Sequence, residues 1–123
     1  VVILEKEVLP LLVPYVQQLD KPVYGISLGD LVWDNMPFHS VYKEQIRKMG
    51  VPVFQVIGNH DHDKAIGMDT EADHSFRAAF GPTYYSYNIG DCHFVVLDDV
   101  LYTALPTTPP KSPRRRWHGW NRT

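Results

Sequence analysis

The sequence predicts a mixed α/β fold, and three observations carry that expectation. Two β-favouring runs, residues 23–28 and 51–57, each end on a glycine followed by a polar side chain. A stretch of helical periodicity separates them, which is the βαβ pattern of a parallel strand pair. A second pair of runs, residues 84–89 and 92–97, is joined through Asn88-Ile89-Gly90-Asp91, as in an antiparallel hairpin.

Taken in order, the opening segment places apolar residues at Val1, Leu4, Val8, Leu11, Leu12, Tyr15, Val16 and Leu19, close to helical spacing. Pro10 and Pro14 interrupt it, so one kinked helix or two short ones are expected, ending near Asp20-Lys21-Pro22. Val23-Tyr24-Gly25-Ile26-Ser27-Leu28, bounded by Pro22 and Gly29, reads as a buried parallel strand that delivers Asp30 at its end. Residues 37–49 read as a helix through Val41, Ile46 and Met49, with Gly50 as its stop. Residues 51–57 form the second strand and deliver Gly58 and Asn59. Residues 61–72 are expected as loop and 73–80 as a short helix stopped by Gly81-Pro82.

A chain of 123 residues fits one domain, which buries roughly two thirds of the surface its unfolded chain exposes. With 44% hydrophobic and 21% charged residues the composition is that of an ordinary globular protein, which excludes fibrous and disordered classes for the body. The expected division is a domain over residues 1–102 and a Pro/Arg-rich, disordered tail over 103–123. Every Asp and Glu lies at or before Asp99, whereas Lys111, Arg114, Arg115, Arg116 and Arg122 follow it, so the body is acidic and the tail basic. No apolar run approaches the ~20 residues that span a bilayer, so a soluble protein is expected. The chain opens on Val1-Val2, compatible with a removed leader or leading strand, and no compartment is assigned. Cys92 is the single cysteine, so no intrachain disulfide forms, and its apolar surroundings predict a buried thiol.

The chemistry-bearing residues are Gly29-Asp30 and Gly58-Asn59-His60-Asp61, each at the end of a strand run. Ligands of open α/β sheets bind outside those carboxyl ends. Hydrolysis of a phosphate ester needs charge neutralisation on the phosphoryl oxygens and a hydroxide at neutral pH, and two cations roughly 3.5–4 Å apart supply both. A carboxylate can bridge such cations, and an amide oxygen adds a ligand without adding charge. Asp30 and Asn59 taken singly also read as turn formers.

Together these blocks resemble the second and third sequence motifs of the calcineurin-like metallophosphoesterases, whose pattern is Asp-x-His, Gly-Asp-x-x-Asp, Gly-Asn-His-Asp/Glu, and later His and Gly-His-x-His. Phe80-Gly81-Pro82-Thr83-Tyr84-Tyr85-Ser86-Tyr87, leading into Phe94-Val95-Val96-Leu97-Asp98, is similar to the stretch that follows the third motif. The resemblance spans residues 24–99. It implies part of an αββα sandwich and a dinuclear centre of manganese, iron or zinc. Asp30 would bridge the metals and Asn59 would bind one of them. His60 would stabilise the transition state or protonate the leaving alkoxide, and Asp61 would support the loop or orient His60. A phosphorylated small molecule or a phosphoprotein is the implied substrate.

Three departures shape the expectation. No Asp-x-His precedes the first helix. The second acid of Gly-Asp-x-x-Asp falls one place late, at Asp34, which leaves open the carboxylate that pairs with His60. No Gly-His-x-His follows Asp99, and His118 in the tail is read as a non-ligand. The chain therefore reads as a metal-dependent phosphomonoesterase or phosphodiesterase domain or, alternatively, as a catalytically incomplete fragment binding one metal or none. A third reading, nucleic-acid binding in a nuclease branch through the basic tail, is the least favoured. His62 and Asp63 are read as a solvated loop or as support for the metal ligands. His74 is read as surface and His93 as a core-edge residue. Trp33 either forms a wall of the substrate cleft or packs beneath the loop.

Overall fold

The computed structural model describes residues 1–100. The tail over 103–123, with His118 and the basic residues of the nucleic-acid reading, lies outside them. The architecture is mixed helix and strand, with two separate sheets of two strands each.

The first helix is continuous through its prolines. A π-helical turn, Leu4–Val8, runs directly into α1, Leu9–Gln17. Pro10 has no N–H to give to the preceding turn, and the wider π turn, closed by the Leu9 amide on the Leu4 carbonyl, lies just before it. Leu9 and Val16 of α1 bury against Met49, joined by Val13, Val23, Val51 and Val53. This packing holds the helix over the start of both parallel strands.

Strand β1, Gly25–Ser27, pairs in parallel with β2, Val53–Gln55, in the register Gly25↔Val53, Ile26↔Phe54 and Ser27↔Gln55. Helix α2, Phe38–Arg47, makes the crossover between them. Both strands are shorter at both ends than their apolar runs suggested, although the Val56 amide, just past β2, still donates to the Ser27 carbonyl at 3.0 Å. Tyr42 of α2 donates from its buried hydroxyl to Gln55 Oε1 at 3.2 Å, and Gln55 Nε2 donates to the Val53 carbonyl at 3.1 Å. The buried amide of Gln55 is thus satisfied in both senses.

A short helix α3, Asp69–Ala72, appears inside the expected loop and leads into α4, His74–Phe80. Phe76 is fully buried, a burial that stabilises by about 2–3 kcal/mol. It joins Leu31, Val32, Tyr42 and Ile57 in the main core. Hairpin β3, Tyr85–Ile89, and β4, Cys92–Val96, is antiparallel, with Tyr85↔Val96 and Ile89↔Cys92 at its ends. Its aromatic face meets the parallel pair: Tyr87 stacks on Phe54 at 3.7 Å and Tyr24 meets Phe94 edge-on at 5.8 Å. Tyr85 donates to the Gln55 carbonyl at 2.6 Å, which ties the hairpin to β2.

Two expectations about side-chain environment are corrected. Cys92 is exposed, because it opens β4 directly after the Gly90 turn, beyond the layer that covers Phe94 and Val96. His93 is also exposed, with Nδ1 at 2.6 Å from Asn88 Oδ1 across the hairpin. Among the described residues no helix is long and apolar enough to cross a membrane.

Candidate functional site

The two motif loops leave the ends of β1 and β2 side by side, and glycine is what lets them touch. Gly29 adopts φ +95°, and a Cβ there would lie 2.9 Å from Gly58 Cα. A Cβ on Gly58 would run into the Asp30 carboxylate and its amide. The motif glycines therefore serve close backbone approach as well as the turn itself.

The first loop is plugged into the core. Leu31 and Val32 are buried with Tyr42, Ile57 and Phe76, so the residues on either side of them, Asp30, Trp33 and Asp34, stay at the surface. All three take left-handed backbone angles, φ 54°, 48° and 65°. Asp visits this region with some ease, but Trp rarely does, so the turn is strained at that point. The Asp34 amide, donating to the His60 carbonyl at 2.8 Å, helps hold it there.

The second loop is a 3₁₀ turn, Asn59–Asp61, entered through extended Gly58. Asp61 is completely buried and accepts from both loops. Its Oδ1 takes the amides of Leu31 at 2.8 Å and Val32 at 3.2 Å, while its Oδ2 takes the Gly58 amide at 2.9 Å. His39 Nε2 lies 3.4 Å from Oδ1, and its Nδ1 lies 2.9 Å from Ser75 Oγ. A carboxylate can only accept, so Nε2 carries the proton toward Asp61; Ser75 Oγ also lies 3.2 Å from the Met36 carbonyl, so its one hydrogen is shared between that oxygen and Nδ1. Asp61 is thus a clamp between loops, positioned beneath the surface rather than in it.

His60 lies above this clamp. Its Nδ1 is 3.0 Å from Asp34 Oδ1, and because the carboxylate only accepts, Nδ1 carries the proton. Among the described residues Nε2 has no hydrogen-bond partner. Its other support is Trp33, whose indole stacks on the imidazole with centroids 3.9 Å apart and planes 14° off parallel. Trp33 does not pack beneath the loop; it is 69% exposed. The late acid of the Gly-Asp motif is therefore brought back to His60 by the left-handed pair Trp33-Asp34. Lys64 also reaches Asp34, with Nζ at 2.6 Å. The Lys64 ammonium first, then His60, holds the Asp34 carboxyl below the usual carboxylate range, against a desolvation that works the other way.

Asp30 and Asn59 are both exposed. The Asp30 Oδ1 accepts the His60 amide at 3.1 Å, which sets the Asn59 Cα within about 6 Å of that oxygen. The pair offers a carboxylate and an amide, both hard oxygen donors suited to one divalent cation of that preference. Among the described residues no cluster of three or more His, Cys, Asp or Glu side chains converges on a metal position. Asp30 and Asn59 by themselves supply two oxygen donors, part of the shell that one divalent cation takes.

Other residues fall elsewhere. His62 is corrected from solvated loop to interior: it is 1% exposed, with Nδ1 donating to the Gly58 carbonyl at 3.0 Å. Asp63 braces its own loop through the Ala65 amide at 2.9 Å. His74 is exposed. The sequence reading missed His39, Ser75 and Lys64. For His39 a signal was available, since a histidine on the core face of an amphipathic helix needs a buried partner.

The class this fold and site define is a mixed α/β chain with a polar surface site at the ends of two parallel strands. No protein-family pattern, no curated protein and no solved structure matches the chain.

Proposed function

We propose that residues 24–99 are the central part of a calcineurin-like metallophosphoesterase domain, an αββα sandwich in its full form, and that the site acts on a phosphoester. The observation that carries this reading is the meeting of the two motif loops: Asp30 Oδ1 on the His60 amide at 3.1 Å, with His60 Nδ1 on Asp34 at 3.0 Å. Turn formation alone accounts for neither contact, since each joins residues far apart in sequence.

In this reading Asp30 and Asn59 would hold a divalent cation, manganese, iron or zinc. Such cations, when bound, neutralise phosphoryl charge and lower the pKa of water. The chain's own residues do the rest. Asp34 fixes the His60 ring through Nδ1, and in the imidazolium form Nε2 donates a hydrogen bond, and then the proton, to the ester oxygen of the departing alcohol. Trp33 prevents the ring from swinging away. The substrate is a phosphorylated small molecule or a phosphoprotein.

A second reading is favoured by the incomplete donor set: the described residues bind one cation weakly and turn nothing over by themselves. Manganese titration of the full chain, followed by assay on 4-nitrophenyl phosphate, separates the two. Turnover that vanishes in His60→Ala supports the enzyme. Saturable manganese binding that weakens in Asp30→Asn, without turnover, supports the incomplete site. Manganese affinity indifferent to Asp30→Asn removes both.

A further inference from the structure

We propose that the outer face of the Trp33 indole is a stacking platform that selects phosphoesters carrying a planar aromatic ring close to the phosphate, an inference that rests on the phosphoester reading above. One face of the indole is covered by His60 at 3.9 Å, yet 69% of the residue stays exposed, so the opposite face looks into water. A large apolar ring left in this state has an unfilled partner position. The ring is also preorganised. The loop is pinned below by buried Leu31 and Val32, and across by the Asp34 amide on the His60 carbonyl at 2.8 Å. The imidazole under the indole is itself held by Asp34. Little freedom is lost when a ligand ring adds to such a stack.

The backbone gives an independent sign. Trp33 takes φ +48°, a conformation that bulky residues rarely adopt. Strain of this kind persists where the surroundings over-determine it, and it clusters at ligand sites. The position next to His60 sets the reach of the platform. A group leaving from the ester oxygen that His60 Nε2 addresses emerges beside the indole, so an aryl ester places its ring there directly. A nucleoside monophosphate places its base there by folding back over the ribose. Both present the same chemistry, a planar ring on a phosphate ester.

The test uses the full chain with zinc and follows the Trp33 indole and His60 imidazole signals by ¹H–¹⁵N NMR. The titrants are phenyl phosphate, adenosine 5′-monophosphate, propyl phosphate and inorganic phosphate. Phenyl phosphate or the nucleotide is expected to bind about tenfold tighter than propyl phosphate, in line with the strength of aromatic stacking. Whichever of the two shows the preference identifies how far the ring stands from phosphorus. Trp33→Leu is expected to erase the preference for the ring-bearing esters over propyl phosphate, and Trp33→Tyr to retain most of it. Equal binding of propyl and phenyl phosphates and the nucleotide, with His60 still responding, overturns the platform and leaves the phosphoester reading standing. A preference that survives Trp33→Leu also overturns the platform. If none of the four compounds moves the His60 signals, both readings fall.

Discussion

Asp61 bears most of the cost of holding the two loops together, and Asp61→Ala measures it. The substitution strips three backbone amides, those of Leu31, Val32 and Gly58, of their acceptor, and leaves His39 Nε2 facing a cavity. Hydrogen bonds to a charged acceptor contribute about 1.5–3 kcal/mol each. Water entering the space vacated by the carboxylate recovers part of this, so the expected loss is about 3–5 kcal/mol. Against a total stability of about 5–15 kcal/mol that is a large fraction. The melting temperature should fall by roughly 15–30 °C for a domain of this size. Asp61→Asn keeps one acceptor for Leu31 but turns an NH₂ group toward the Gly58 amide, so it should fall between the two. Urea unfolding followed by circular dichroism gives the energies. Hydrogen exchange gives the location, with the Leu31 and Val32 amides accelerated beyond the global change. A loss below about 1 kcal/mol for Asp61→Ala, at unchanged denaturant dependence, would show that the clamp is not what couples the loops.

Two further perturbations probe the same region. Gly58→Ala puts a methyl group into the Asp30 carboxylate and amide although the extended backbone at Gly58 suits alanine, so the cost is steric and about 2 kcal/mol or more. Gly50→Ala, where nothing lies within 4 Å, costs only its left-handed backbone, about 1 kcal/mol, and serves as the comparison in the same urea series; a cheaper Gly58 change would count against the close approach. The Asp34 carboxyl, depressed by Lys64 and then by His60, gives a pH signature. Its folded value lies below its unfolded one, so the contribution of these contacts is fully present above the ordinary carboxylate range near pH 4 and is lost as pH falls through the folded value. Titration of the Asp34 carboxyl carbon by NMR should show a midpoint lower than that of an unstructured aspartate, and Lys64→Met should move it upward. A midpoint at or above the unstructured value contradicts the Asp34 contacts.

Much of the architecture was readable from local pattern. The order helix, strand, helix, strand, helix, hairpin follows from apolar periodicity and from Gly50, Gly81 and Gly90 as stops, all of which act within a few residues. The delivery of Asp30 and Asn59 at strand ends is legible for the same reason. Strand lengths were overestimated because an apolar residue reads alike in a ladder or plugged into a core. Leu31 and Val32, anchoring a loop, show the second use, as does Ile57 beyond the end of β2.

The identities of the partners were decided only in three dimensions. Asp34 and His60, Asp61 and Leu31, and His39 and Ser75 lie 26, 30 and 36 residues apart, and no local propensity links such positions. Burial misled in both directions: His62 in a polar run is interior because a carbonyl of Gly58 waits for it, and Cys92 in an apolar run is exposed because the hairpin begins there. The sequence by itself set which segments are helix and strand and which residue types stand at the strand ends, since those depend on steric preferences of neighbouring residues. The tertiary structure alone decided which carboxylate holds the His60 ring and which one is buried as a clamp, because that choice turns on left-handed backbone at Trp33 and Asp34 and on two glycine loops pressed into contact.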